Sequence, residues 1–156
     1  MNAADRFRHW QSVRRGLVEA LDKLTDEQLR FVPRAGLWSL GKVACHIAGA
    51  EDGWFRYVAT GELDAWPQFE AKDYPTVESV KRLLAEVHAR TEAYLATLDD
   101  ADLEQIISAP WGGKFPLRWI IWHVLEHEYP WTQWTKNAHP IYTGHRPPSA
   151  HLLSSA

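Results

Sequence analysis

Residues 119–128 read Trp-Ile-Ile-Trp-His-Val-Leu-Glu-His-Glu and place two histidines, His123 and His127, one helical turn apart. On an α-helix, positions i and i+4 project from the same face, so the two imidazoles point the same way. A third histidine, His46, lies in a similar apolar helical pattern far upstream. Two imidazoles from one helix and one from a neighbour can supply three nitrogens to a divalent metal and leave one coordination position open. The pattern predicts a helical protein with inward-facing histidines.

The spacing of apolar residues predicts four long helices, because it follows the helical period and not the alternation of a strand. Ser39 is the expected N-cap of the second helix, and Pro116 suits the first turn of the fourth. Pro130 should end or kink the fourth helix, because proline cannot donate to the carbonyl of Glu126. We expect the helices at about residues 4–23, 39–58, 76–98 and from 116 onward.

The segments between these helices differ in length. About 15 residues join the second helix to the third, which is long for a compact domain and typical of a segment that covers a pocket. Its length is compatible with a crossover between helices 2 and 3. Residues 106–115 are expected to form a loop or a small hairpin, and an irregular C-terminal tail is expected from about residue 135. The fold class predicted is all-α, a four-helix bundle in a single domain over residues 1–156.

Composition excludes several classes of protein. The 156 residues are 46% hydrophobic and 24% charged, which is typical of one globular domain. The net charge of −3 comes from mixed acidic and basic residues, so we expect neither nucleic acid nor an anionic membrane as a partner. Cys45 is the only cysteine, so no intramolecular disulfide can form. With no apolar run near the roughly 20 residues that span a bilayer, a cytoplasmic location is expected.

Two blocks of sequence resemble the DinB-like (DinB/YfiT) superfamily of bacterial four-helix-bundle proteins. Residues 38–48, Trp-Ser-Leu-Gly-Lys-Val-Ala-Cys-His-Ile-Ala, are similar to the start of that family's second helix and include its first metal histidine, here His46. Residues 123–128, His-Val-Leu-Glu-His-Glu, are similar to its histidine-rich fourth helix. The order of helices extends the resemblance over about residues 4–130.

This resemblance implies a function as well as a fold. Members of the family commonly bind a divalent metal such as zinc or nickel through three histidines, and many are homodimers. Some are thiol-dependent transferases or isomerases that use low-molecular-weight bacterial thiols. The resemblance therefore implies a homodimer with a divalent metal, and a small-molecule partner such as a low-molecular-weight thiol.

The third metal ligand is where this chain departs from the family. The family usually carries another histidine four residues after the one that matches His127, and here that position is Trp131, directly after Pro130. An indole offers an N–H donor and no lone pair to a metal. His123 is the candidate replacement, although it lies about 6 Å earlier along the helix axis.

Two functions stay open on this basis. The first is a metal-dependent enzyme, a thiol-dependent transferase or a hydrolase, with His46, His123 and His127 as ligands. In it, Glu51 or Glu126 could orient an imidazole or move protons. The second is a metal-free bundle that binds a small ligand or only dimerises, its ligand triad made incomplete by Trp131.

Two further residues have simpler interpretations. His88 lies beside the apolar stripe of the third helix and is interpreted as a surface residue. Cys45 is interpreted as a small packed residue. No catalytic residue follows from the sequence.

Overall fold

The computed structural model describes residues 1–137, and most of these residues are helical. The predicted all-α four-helix bundle is confirmed, with α2, α4, α5 and α6 as its long helices. None of the described helices is both long enough and apolar enough to cross a lipid bilayer. The elements in chain order are α1 (Ala3–Arg6), α2 (His9–Asp22), α3 (Asp26–Arg30), α4 (Leu40–Asp52), a π-helix (Gly53–Ala59), a 3₁₀ turn (Ala71–Asp73), α5 (Val77–Ala96), a second 3₁₀ turn (Asp102–Glu104), β1 (Ile106–Ser108), β2 (Lys114–Pro116) and α6 (Leu117–Asn137).

Polar caps begin α4 and α5, close to residues 39 and 76, where the sequence predicts that these helices start. The Ser39 hydroxyl accepts a hydrogen bond from the backbone N–H of Lys42 at 3.1 Å. At α5, Thr76 and Ser79 form a reciprocal capping box, with both backbone-to-side-chain distances at 3.1 Å. These caps satisfy N–H groups that the first helical turn leaves unpaired. Because the caps are local in sequence, both helix starts were predictable.

The first predicted helix is interrupted near its beginning. The backbone N–H groups of Arg8, Trp10 and Gln11 donate to carbonyls three residues earlier, at 3.4, 2.9 and 3.1 Å. Such bonds form a 3₁₀ turn, in which residues i and i+3 lie on the same face. Phe7 and Trp10 both reach the core from this turn. The single helix predicted over residues 4–23 is therefore wrong at this point.

The helices α4 and α5 are parallel neighbours. The last turn of α4 contacts the second half of α5, since Glu51 bonds to His88 and Asp52 to Arg90. Parallel neighbours cannot be joined by a short hairpin, because the chain must first return along the bundle. Residues 60–76 make that return, so the predicted crossover between the second and third long helices is confirmed.

The helix α6 lies between α2 and α4. It is parallel to α2, because Phe7 contacts Trp122 while Gly16 approaches Lys136. It is antiparallel to α4, whose His46 lies beside His127 in the later part of α6. This arrangement brings the middle of α4 against the histidine-bearing turns of α6.

The helix α6 continues through Pro130 to Asn137, so of the two predicted effects of this proline, an end or a kink, the end is wrong. Trp131, Thr132 and Thr135 follow the proline and are almost fully buried. Burial of an apolar helix face contributes several kcal/mol, about as much as a helical proline costs. The expected tail from about residue 135 therefore begins within a helix, and residues 138–156 lie outside the described residues.

A two-stranded hairpin precedes α6. The strands β1 and β2 are antiparallel, with Ile107 opposite Phe115. Gly112 and Gly113 have φ values of 100° and 94°, which favour glycine and allow the tight turn. The small hairpin expected within residues 106–115 is confirmed.

Candidate functional site

Three imidazoles lie in a row where α4 packs against α6. The ring centroids of His46 and His127 are 5.8 Å apart, and those of His127 and His123 are 5.7 Å apart. The Nε2 atoms of His46 and His123 are buried and have no hydrogen-bond partner among residues 1–137. The structure thus brings the three predicted site residues into one region, with His127 in the middle.

Trp131 also packs against His46, one helical turn after His127 on α6. Its side chain is only 1% exposed, and its ring centroid lies 5.7 Å from that of His46. It also stacks on Trp38, with centroids 5.3 Å apart and ring planes within 3° of parallel. A buried indole therefore occupies the position where the family resemblance implies a third histidine.

The histidine rings can be tested against a metal site. Zinc binds imidazole nitrogen at about 2.0–2.1 Å in tetrahedral geometry, so two rings that share an ion have centroids about 5.2 Å apart. The pairs His46–His127 and His127–His123 are wider than this, at 5.8 and 5.7 Å. His123 also stacks on Trp119 at 4.5 Å and meets Trp54 edge-on at 5.2 Å. Within residues 1–137, no group of three His, Cys, Asp or Glu side chains could hold a metal ion, so a three-histidine site does not fit the side chains as placed.

Two of the imidazoles are held in the neutral form. Burial, followed by the nearby His127 and Lys42, lowers the pKa of His46 to about 4. Burial and His127 also lower the pKa of His123. Desolvation disfavours a charged imidazole because the protein interior solvates it less well than water does. At neutral pH, His46 therefore keeps a nitrogen lone pair.

A cavity of about 460 Å³ lies between α4 and the crossover, and His46 forms part of its wall. The α4 wall is one helical stripe, with residues three or four positions apart: Lys42, Cys45, His46, Gly49 and Ala50. The opposite wall is residues 66–72 of the crossover, with Trp38 at one side. The long connection thus lines a pocket, as its length predicted.

Cys45 lies in the wall of this cavity as a protonated thiol. Burial raises its pKa to about 11, and the carboxylates of Glu70 and Asp73 add to the effect. Only a thiolate is an effective nucleophile or metal ligand. Cys45 is therefore a packing residue here, as the sequence indicated.

A buried polar layer crosses the bundle next to this site, with Trp10 and Arg14 from α2 and one residue from each of the other long helices. The Arg14 guanidinium donates to both carboxylate oxygens of Glu128, at 2.8 and 3.1 Å, and also to Glu51. The other oxygen of Glu51 bonds to His88 Nδ1 at 2.7 Å, and the Trp10 indole donates to Glu128 at 2.6 Å. This layer separates one apolar cluster around Leu17, Leu84 and Trp131 from another around Trp54, Ile121 and Leu125.

The charges of this layer stabilise one another. Burial alone would raise the pKa of Glu51, but Arg14 and the bond from His88 outweigh it and hold that pKa well below its usual range. Burial also opposes the charge of Arg14, yet Glu128 and Glu51 raise its pKa above the ordinary value. The layer ties the last turn of α4 to α6 at the residue next to His127.

Sequence reasoning missed most of this layer. His88 was interpreted as a surface residue, but its side chain is 12% exposed and faces Glu51. Glu51 therefore orients His88 and not one of the three site histidines, and Glu126 is exposed. A signal did exist, because Arg14 lies between Trp10 and Leu17 at helical spacing on an otherwise apolar face.

The chain is similar to one family and to several solved structures. The family model of the DinB superfamily matches residues 9–130. A DinB-like protein from Bacillus cereus ATCC 10987 is 21% identical with a TM-score of 0.65, and the match covers 92% of this chain and 93% of that one. A conserved protein from Enterococcus faecalis is 14% identical with a TM-score of 0.67, over 93% of this chain and 99% of that one.

A third structure is YfiT from Bacillus subtilis, described as a probable metal-dependent hydrolase with an unusual four-helix bundle topology. It is 22% identical with a TM-score of 0.58, and the match covers 85% of this chain and 84% of that one. No curated protein matches the chain. At these identities, the three structures show a shared fold.

Proposed function

Since the chain belongs to the DinB superfamily, we propose that it binds a small organic molecule in the pocket beside His46 and holds no resident metal. The observation that carries this proposal is the buried indole of Trp131 next to His46. It removes the third nitrogen donor that the family's metal site requires, and two imidazoles alone bind a divalent ion weakly.

The adjoining pocket supports a binding function. Its volume of about 460 Å³ lies within the range of about 300–1,000 Å³ that is typical of small-molecule sites. Its walls combine aromatic side chains with a few polar groups, which is the usual composition of such sites. The neutral His46 at its edge can accept or donate a hydrogen bond without the cost of burying a charge.

A zinc titration by calorimetry tests the metal-free part of this proposal, on protein purified without a histidine tag. We expect no stoichiometric zinc binding by the wild type at micromolar concentrations. Trp131→His should create a zinc site, because it restores an imidazole beside His46 and His127. Trp134→His serves as the matched control, and adding His46→Ala to Trp131→His should abolish the gained site.

One outcome would overturn the metal-free proposal directly. The proposal would be wrong if the wild-type protein bound one zinc ion per chain and the variants His46→Ala and His127→Ala both failed to bind it. Circular dichroism of each variant separates a lost site from a lost fold.

A divalent-metal-dependent enzyme, a thiol-dependent transferase or a hydrolase, is the second candidate function. Two observations favour it. The Nε2 atoms of His46 and His123, which have no hydrogen-bond partner within residues 1–137, lie on either side of His127. In addition, YfiT is described as a probable metal-dependent hydrolase. A metal bound only to the native state raises the melting temperature, so a chelator should lower it. A melting temperature that does not change with chelator would count against this candidate.

The homodimer, the thiol partner and the cytoplasmic location stay predictions.

A further inference from the structure

We propose that residues 64–74 of the crossover form a strap that opens over the pocket while the four-helix bundle stays folded, with Trp66 as its latch. Such opening goes beyond the proposed function, because it controls access to the pocket and can be tested without a ligand. Three features carry the proposal: the way the strap is attached, the contacts of Trp66, and the position of Cys45.

Polar bonds hold the chain on either side of the strap but not the strap itself. Before it, the backbone N–H of Leu63 donates to the carbonyl of Arg56 at 3.0 Å. After it, the Arg30 guanidinium donates to the carbonyl of Pro75 at 2.8 Å. Among residues 1–137, no hydrogen bond or ion pair joins residues 64–74 to the rest of the chain. The strap can therefore lift without breaking such a bond to the bundle, which favours local opening.

Side-chain packing holds the strap closed. The Trp66 ring lies so close to Gly53 that a Cβ atom added there would be 2.4 Å from it. The same ring meets Trp54 edge-on, with centroids 6.1 Å apart. Dispersion contacts of this kind are short-range, so they are lost together once the ring moves away. Because Trp66 is the largest side chain of the strap, we expect it to decide how often the strap opens.

Cys45 lies beneath the later part of the strap. It is 2% exposed and forms part of the pocket wall on α4. Phe69 and Tyr74 of the strap pack against the apolar cluster that contains it. The carboxylates of Glu70 and Asp73, also in the strap, lie close enough to act on its thiol. A thiol reagent therefore reaches Cys45 only when the strap opens or when the whole protein unfolds.

The latch and this thiol are well separated. Trp66 is seated at Gly53, eight residues after Cys45 in the sequence. A helix rises about 1.5 Å per residue, so the two positions lie about 12 Å apart along the axis. Truncating Trp66 therefore does not uncover the thiol directly, and a faster reaction of Cys45 reports movement of the strap.

The rate at which N-ethylmaleimide labels Cys45 in the native protein tests the proposal. Intact-mass spectrometry follows one added label per chain, since Cys45 is the only cysteine. We expect the wild type to react faster than its unfolded fraction allows. The rate should hardly change with urea below the unfolding transition, because opening a strap exposes little surface compared with global unfolding.

Variants of the latch identify the segment that opens. Trp66→Ala should speed labelling by about tenfold or more, since a latch contact worth about 1.4 kcal/mol changes the opening equilibrium tenfold. Trp122→Ala is the matched control, a partly exposed tryptophan on α6 that contacts Phe7, and it should label at the wild-type rate. If Trp66→Ala does not fold, Trp66→Phe keeps part of the contact and should give a smaller increase.

Three outcomes would overturn the strap. The first is a wild-type rate that equals the unfolded fraction multiplied by the rate of the urea-unfolded chain and rises with urea as that fraction does. The second is wild-type labelling as fast as in the unfolded chain, which would mean that nothing covers Cys45. The third is equal rates in Trp66→Ala, Trp122→Ala and the wild type. Each leaves the zinc titration unaffected, so the strap can fail while the metal-free proposal stands.

Discussion

Arg14 donates hydrogen bonds to three other helices, through Glu128 on α6, Glu51 on α4 and the backbone carbonyl of Leu84 on α5. At the scale of a single residue, this explains why a charged side chain that is 6% exposed is stable inside the bundle. Burying an ion costs several kcal/mol unless partners of opposite charge surround it. Arg14 has two such partners.

Replacing Arg14 by methionine should therefore destabilise the protein by about 3–5 kcal/mol, because two buried carboxylates would lose their cation. Urea unfolding at pH 7 measures the loss. Arg15→Met is the matched control at the exposed neighbouring position, where a change within about 0.5 kcal/mol is expected. If Arg14→Met does not fold, Arg14→Lys retains the charge and should fold with a smaller loss. A loss below about 1 kcal/mol for Arg14→Met would contradict the polar layer described above.

At the scale of elements, the π-helix Gly53–Ala59 and the crossover depend on each other. A Cβ atom added at Gly53 would lie 2.4 Å from the Trp66 ring, so only glycine lets Trp66 pack there. Trp66 also meets Trp54 edge-on, with ring centroids 6.1 Å apart. The Trp66 ring, which lines the pocket, can thus pack against the π-helix because Gly53 has no side chain.

The variant Gly53→Ala should displace Trp66 and destabilise the protein by about 1–3 kcal/mol, as overpacking of a tight contact does. Near-ultraviolet circular dichroism and urea unfolding report the two effects. Gly49→Ala is the control, because its Cβ would meet Phe69 at an ordinary 3.7 Å, so stability should stay equal or rise. Added to Trp66→Ala, Gly53→Ala should cause little further loss. An equally large loss in that background would show that Trp66 is not the obstacle.

At the scale of the whole molecule, stability depends on pH through the buried site. The pKa of His46 is about 4 in the native state, lowered chiefly by burial, against about 6.5 in an unfolded chain. Between these values the unfolded chain binds a proton that the native state does not bind. The free energy of unfolding should therefore fall as pH drops from 6.5 to 4, and this contribution should level off below pH 4.

His46→Gln should make that pH dependence shallower, since glutamine does not titrate. Denaturant unfolding at pH 7 and pH 4.5 gives the comparison between the wild type and the variant. His9→Gln, at an exposed position, controls for the loss of any histidine. A His46→Gln profile as steep as the wild type would show that His46 is not the group responsible.

Several features were determined by the sequence alone, because they depend on residues close together in the chain. Ser39 and Thr76 begin helices through bonds to residues three positions away, and the apolar period sets the inner face of each helix. The same period placed His46, His123 and His127 on inner faces, and the structure brings them together. The length of the crossover indicated that it lines a pocket.

Other features were decided only by tertiary structure, because their partners lie far apart in sequence. His88 faces inward because Glu51, on another helix, binds it. The helix α6 continues past Pro130 because burial of Trp131 and its neighbours compensates for a lost hydrogen bond. The same burial places the indole of Trp131 beside His46, where the family resemblance implies a metal ligand. This placement depends on packing between helices, which a local sequence pattern does not predict.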